Sequence, residues 1–174
     1  MNEFVEEIAY SSSFTWQLSR TAGAGHASET MALVEKSVLV AYSAQQMFDL
    51  VDQIENYPQF LPWCGGTRVK TRDETLVVAT IHIDYFHLKQ SFTTENTRHA
   101  PHLIQMRLQE GPFQQLDGLW RFSELNQEAC KVELRLHYEF SSKLIENLVN
   151  PVFSLIAGSL VDAFVERAEK LYGG

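Results

Sequence analysis

Alternation of apolar and polar residues dominates residues 76–140, and a period of two predicts β-strands. The same pattern recurs in residues 76–85, 88–97, 104–108, 116–122 and 132–140, and residues 33–41 are rich in valine and leucine. In the first of these repeats the apolar face carries Val77, Ala79, Ile81, Ile83 and Tyr85. Strands with one polar and one apolar face predict an antiparallel sheet that is wet on one side only.

The segment between the first two strands predicts short helices. Ser43 is a suitable N-cap for a helix over residues 44–53, and Asn56-Tyr57-Pro58 ends it. Pro58 and Pro62 then bracket a second helical turn, and Gly65-Gly66 is expected to let the backbone turn into the next strand.

Residues 143–172 show steps of three and four and predict one long helix, with Ser141-Ser142 before it and Gly173-Gly174 after it. Pro151 is expected to kink this helix or to mark its start. Its apolar stripe is expected to comprise Ile145, Leu148, Val149, Val152, Phe153, Ile156, Leu160, Phe164, Ala168 and Leu171. The only available cover for the apolar face of the sheet is this helix, so the fold class is α+β and the helix is needed for folding.

Residues 1–30 differ from the rest in composition. They are rich in Ser, Thr, Ala and Gly and show no helical or strand periodicity, except that residues 2–8 could form a short helix. We expect a flexible, dispensable tail or a start of the native chain at Met31, with residues 31–174 as a single domain. The alternative is an N-terminal helix docked on that domain.

Charge and cysteine content exclude several functions. The chain has 14 Lys and Arg against 22 Asp and Glu, a net charge of −8 that counts against DNA binding and broad nucleic-acid binding. Cys64 and Cys130 are far apart and lack zinc-ligand spacing, so no metal site is expected. With no signal-peptide pattern and no apolar run of about 20 residues, the expected location is the cytoplasm.

Four motifs occur in order along the chain. They are Asn56-Tyr57-Pro58-Gln-Phe60-Leu61-Pro62-Trp63-Cys64, then residues 91–96 (SFTTEN), then residues 110–113 (EGPF), then residues 116–122 (LDGLWRF). Together they resemble the coenzyme-Q-binding, START-like family of polyketide cyclase and lipid-transport domains, which includes the bacterial ribosome association toxins. The resemblance covers residues 31–172. It implies a helix-grip fold, in which a curved sheet wraps around the C-terminal helix and leaves a hydrophobic tunnel between them.

Large side chains on the inward-facing parity are the candidate ligand-binding residues, although each taken singly is more often ordinary core. Aromatic rings with one polar atom suit a quinone head group, and methionine adapts to an irregular ligand. The candidates are Tyr85, Phe92, Met106, Trp120, Phe122, Tyr138, Phe153 and Ile156.

Two loops are candidate gates over the mouth of such a tunnel. One contains Pro58, Phe60, Pro62 and Trp63, for which a packed loop is an equal alternative. The other is the turn at residues 110–113, where Phe113 is expected to be exposed at the tip and to touch a membrane surface transiently.

One basic feature stands out on the acidic chain. Arg68, Lys70 and Arg72 alternate along the strand after Gly66 and are expected to share one face, where Lys89, Arg98 and Arg107 could add to them. Such a row is most often a solvated strand face. A local patch of this kind could nevertheless contact the large ribosomal subunit.

Catalysis has little support in the sequence. No Ser/His/Asp or Cys/His spacing is recognisable. Asp84-Tyr85 near His87 is the one candidate acid-base cluster for a cyclase. The resemblance implies, and we expect, a non-enzymatic carrier or chaperone that binds ubiquinone or a related lipid in support of respiration. It is expected to have no other cofactor and to be cytoplasmic or peripheral to the inner membrane. The alternatives are a ribosome-associating toxin that blocks subunit joining and, third, a cyclase-like enzyme.

Overall fold

The computed structural model describes residues 31–173. Seven antiparallel strands form one sheet in the order β1-β7-β6-β5-β4-β3-β2. The strands are β1 (Ala32–Val40), β2 (Cys64–Arg72), β3 (Leu76–Tyr85), β4 (Leu88–His99), β5 (Leu103–Glu110), β6 (Phe113–Asn126) and β7 (Ala129–Phe140). The predicted tail at residues 1–30 lies outside the described residues, and the predicted boundary at Met31 lies at their edge. Both stay predictions.

Helices cover the inner face of the sheet. Helix α1 (Ala44–Asp52) is followed by a 3-10 helix (Ile54–Gln59), and helix α2 (Lys143–Tyr172) ends the chain. Ser43 caps α1 as predicted, because its Oγ accepts from the backbone N–H of Gln46 at 3.2 Å. The 3-10 helix contains Asn56-Tyr57-Pro58, so the break predicted there is a tighter helical turn instead.

The inward parity of the strands agrees with the predicted alternation. Val77, Ala79 and Ile83 on β3, and Trp120 and Phe122 on β6, are all buried. On β7, every second residue from Val132 to Phe140 is buried in the same way. These side chains, together with the inner face of α2, form one apolar core. The curved antiparallel sheet with its long C-terminal helix confirms the predicted helix-grip fold.

One expectation for the segment around β2 was wrong. Gly65 and Gly66 do not form a turn, because they lie within β2. A Cβ on Gly65 would come within 2.7 Å of the Cβ of Asp84, so the close approach of β3 explains this glycine. In addition, a bulge between Val69 and Thr71 shifts the register of β2 against β3.

Helix α2 is more exposed than its apolar stripe predicted. It begins at Lys143, after the N-cap Ser142, and continues through Pro151, so Pro151 does not mark its start. Leu148 and Leu171, assigned to the buried stripe, are exposed by 62% and 50%. By length and composition α2 could cross a membrane, yet its inner residues Phe153 and Phe164 are part of the protein core.

Candidate functional site

Five aromatic rings meet between the sheet and the first half of α2. Phe153 lies with its ring centroid 4.9 Å from that of Phe113, 4.8 Å from Tyr138, 6.1 Å from Phe140 and 6.2 Å from Phe92. The Tyr138 hydroxyl donates to Oδ1 of Asn150 at 3.3 Å. Three of the predicted ligand-binding residues are therefore brought together, since Phe92 and Tyr138 both contact Phe153.

Phe113 does not have the predicted exposed position. It is only 5% exposed, and its ring stacks on Phe140 at 5.0 Å. The turn before it is tight, because Gly111 has φ of +154° and a Cβ there would lie 2.7 Å from the Cβ of Phe92. The backbone thus turns at Gly111-Pro112 and returns Phe113 to the core, which removes it as a membrane-touching tip.

Trp120 and Phe122 belong to a second, closed aromatic cluster under the other half of α2. Their rings are parallel within 2° at 6.2 Å, and Phe164 of α2 packs edge-on against Trp120 at 5.4 Å. Trp120 is 1% exposed. Ile156, also predicted to bind ligand, is buried on the same helix. The sequence alone did not distinguish these packed residues from the accessible residues of the inner face, because both sets have inward parity on their strands.

The accessible part of the inner face lies on β3, β4 and β5. Five apolar residues of inward parity are only partly buried there: Tyr85, Leu88, Phe92, Met106 and Leu108. Helix α2 packs chiefly against β1, β7 and α1, so it leaves this half of the sheet less covered. Partly buried apolar side chains on a concave face are the usual lining of a small-molecule site.

The predicted gate at residues 58–63 is partly packed onto α2. Pro58 and Pro62 are exposed, whereas Trp63 is buried. The half-buried Phe60 ring lies 5.3 Å from Phe164, and the Arg167 guanidinium sits 5.2 Å above its centroid. Beside it, the Tyr57 hydroxyl donates to the Val51 carbonyl at 2.6 Å, and burial raises the pKa of Tyr57. Whether this segment opens stays a prediction.

An ion-pair cluster at the end of α1 was not recognised in the sequence. Asp52 Oδ2 accepts from Arg72 Nη1 at 2.9 Å and from Arg98 Nη1 at 2.8 Å, and Glu55 pairs with Arg72 at 3.0 Å. Arg72 lies opposite the inward-facing Val77, whereas Arg68 lies opposite Thr80 on the outer face. The assignment of Arg72 to a shared basic face with Arg68 was therefore wrong, since the β2 bulge reverses the parity.

Arg68 and Lys70 remain exposed on the outer side of β2. Lys70 Nζ approaches Glu110 Oε2 at 3.8 Å, a weak contact between exposed groups. Both groups border a shallow polar depression of about 440 Å³ that Thr80 and Thr93 also line.

Reactive groups are poorly arranged for catalysis in residues 31–173. Both cysteines are free and buried, and burial raises the pKa of the Cys130 thiol to about 11, which disfavours the nucleophilic thiolate. Asp84 pairs with Lys89 at 3.4 Å and lies on the parity opposite to Tyr85, so the proposed acid-base cluster is divided between the two faces. The same residues contain no group of three or more His, Cys, Asp or Glu side chains suited to a metal ion.

Sequence comparison assigns the chain to a known domain family. The family described as polyketide cyclase / dehydrase and lipid transport matches residues 40–165. The chain belongs to this family, which confirms the START-like resemblance seen in the sequence motifs.

The similarity to individual proteins is strong for one kind of relative. The chain is 43% identical over 143 residues to the ribosome association toxin RatA of Vibrio cholerae, an alignment that covers 82% of this chain and 99% of the relative. The corresponding protein of Pseudomonas aeruginosa is 39% identical over 140 residues, covering 80% and 97%. A mitochondrial coenzyme Q-binding protein COQ10 homolog B from Xenopus laevis is 25% identical over 142 residues, covering 79% and 58%.

Solved structures agree on the fold. The Zhui aromatase/cyclase from Streptomyces superposes with a TM-score of 0.72 at 16% identity, covering 83% of this chain and 99% of that protein. At this identity the likeness shows the fold alone.

Proposed function

We propose that this chain is a non-enzymatic binding domain that holds an apolar ligand against the open half of its concave face. The observation that carries the proposal is the row of partly buried apolar side chains on β3, β4 and β5, including Phe92, Met106 and Leu108. Helix α2 packs chiefly against β1, β7 and α1 and leaves these side chains only partly covered. The family's description as a lipid-transport family supports the same function.

Ubiquinone or a related isoprenoid is the ligand class that we propose. Phe92, at the boundary between the open face and the aromatic cluster, offers a flat surface to a quinone ring. Flexible Met106 and Leu108 beside it suit an isoprenoid chain. The distant coenzyme Q-binding relative supports this choice. A carrier of such a ligand would be cytoplasmic and meet the inner membrane only transiently.

Mass spectrometry of an organic extract tests this function directly. Natively purified protein is expected to release a quinone or isoprenoid lipid. Leu108→Trp, which fills the open face, is expected to reduce that yield by about tenfold or more, the effect of losing about 1.4 kcal/mol of binding. The control is Gln105→Trp, because Gln105 is exposed on the opposite parity of the same strand. Equal yields from the two variants, or no lipid from the unmodified protein, would contradict the proposal.

We propose ribosome association as a second function, compatible with the first. It is favoured by the names of the relatives at 39% and 43% identity, which align over nearly their whole length. By analogy, this chain would bind the large ribosomal subunit and hinder subunit joining. On an acidic protein, exposed Arg68 and Lys70 are the cations that we propose for rRNA contact.

The double change Arg68→Glu and Lys70→Glu is expected to abolish co-sedimentation with large ribosomal subunits at low salt. Binding is expected to be lost because the two cations no longer contact rRNA phosphates. Such contacts weaken with salt, so binding of the unmodified protein should also fall as the salt concentration rises. The matched control is Arg121→Glu with Arg135→Glu, which alters net charge equally on distant strands. Loss of binding in the control, or retention in the test variant, would assign the contact to another surface.

A further inference from the structure

The second half of β4 carries three polar residues on its inner face. Thr94, Asn96 and Arg98 alternate along the strand, and Asn96 lies in register between the fully buried Val77 of β3 and Met106 of β5. Asn96 is itself only 5% exposed. A polar side chain at the centre of a concave apolar face costs stability unless something pairs with it.

Two buried polar atoms of this row have no hydrogen-bond partner among residues 31–173. They are Oδ1 of Asn96, an acceptor, and Nε of Arg98, a donor. The rest of the Arg98 guanidinium is engaged, since Nη1 donates to Asp52 at 2.8 Å and Nη2 donates to the backbone carbonyl of Asp73. Arg98 is therefore fixed in place, while its buried Nε–H keeps no partner among the described residues.

The two unpaired atoms define the chemistry of their partner. Residues two apart on a strand project from the same face about 6.7 Å apart. A hydroxyl group can accept from the Arg98 Nε–H and donate to Asn96 Oδ1, whereas a carbonyl or ether oxygen can only accept. Met106, the half-buried neighbour of Asn96, connects this polar row to the open apolar face.

We infer that Asn96 and Arg98 form the polar end of the ligand site and take a hydroxyl group of an apolar ligand. For a benzoquinone-type ligand, this means that the reduced quinol is preferred to the quinone. The inference rests on the proposed ligand-binding function and adds the determinant of specificity to it.

Calorimetric titration with decylubiquinol and decylubiquinone, under anaerobic conditions, tests the inference. The unmodified protein is expected to bind the quinol at least about tenfold more tightly, because the quinone leaves Asn96 Oδ1 unpaired. Asn96→Leu has similar volume and no polar atom, so it is expected to bind both forms equally and to melt no lower than the unmodified protein. Thr93→Val is the control. Thr93 is buried on the opposite face, where its hydroxyl pairs with Thr80 at 2.8 Å, and this variant should keep the quinol preference.

The possible outcomes distinguish failure of this inference from failure of the proposed ligand-binding function. Equal binding of the two forms by the unmodified protein would overturn the inference and leave ligand binding intact. A preference for the quinone would mean that the Asn96 amide donates, and it would overturn the assignment of a hydroxyl. A quinol preference that survives Asn96→Leu would also overturn it. Failure to bind either form would contradict the proposed quinone function itself, and the inference with it.

Discussion

Replacing Trp120 by alanine is expected to lower the free energy of unfolding by about 3–5 kcal/mol, the range measured for large aromatic residues in packed cores. The indole is 1% exposed, parallel to Phe122 and in edge contact with Phe164. Its removal would leave a cavity that the sheet and α2 cannot easily close. Urea denaturation followed by circular dichroism measures the change.

The same variant separates core from ligand site. Leu119→Ala, on the adjacent residue of opposite parity, is the control and is expected to cost much less because Leu119 is only partly buried. If Trp120→Ala lowers the free energy of unfolding by only about 0.5 kcal/mol, as surface substitutions do, the indole lines open space. The aromatic cluster around Trp120 would then be part of the ligand site. A large loss together with normal quinone binding would remove Trp120 from the predicted site and leave it as core.

Replacing Asp52 by asparagine is expected to lower the free energy of unfolding by about 2–4 kcal/mol. This is somewhat less than the loss expected when one partner of a fully buried ion pair is removed. Its carboxylate accepts from both Arg72 and Arg98, and the Asp52 and Arg98 side chains are only 14% and 13% exposed. The substitution would leave the Arg98 charge with poor access to water. Arg72 keeps Glu55 as a partner and contributes less to the loss.

Glu55→Gln is the matched control for the ion-pair cluster. Glu55 contacts the same Arg72, but its side chain is 51% exposed, so the expected cost is below about 1 kcal/mol. Equal losses in the two variants would mean that the cluster acts as one exposed network and that burial of Arg98 is not the cause. Added salt should reduce the cost of Glu55→Gln more than that of Asp52→Asn.

Local sequence patterns determined the strands and helices and which of their side chains face inward. Alternation assigned β3 its observed bounds, Leu76–Tyr85, and steps of three and four assigned α2 its observed bounds, Lys143–Tyr172. Side-chain direction follows from backbone geometry alone in a strand or helix, so inward parity was predictable for Trp120 and Tyr138. The capping residues Ser43 and Ser142 act through contacts three residues away, which are also local.

Tertiary structure decided which inward-facing residues are accessible. Phe92 and Phe122 have the same parity, yet only Phe92 stays partly exposed, because α2 packs toward β1 and β7 and away from β4. Leu148 fits the apolar stripe of α2 by sequence, yet its side chain is 62% exposed. Phe113 is buried because Gly111 turns the chain back beneath the aromatic cluster.

The polar features of the site also needed the folded chain. The β2 bulge is a mismatch between two paired strands, and neither strand alone carries its signal, so the separation of Arg72 from Arg68 could not be read from periodicity. Asp52 meets Arg72 and Arg98 across 20 and 46 residues of sequence. The sequence alone thus determined the fold class, the family and the faces of the strands other than β2. Only the tertiary structure decided which charges pair and where the concave face stays open, because both depend on how distant elements pack.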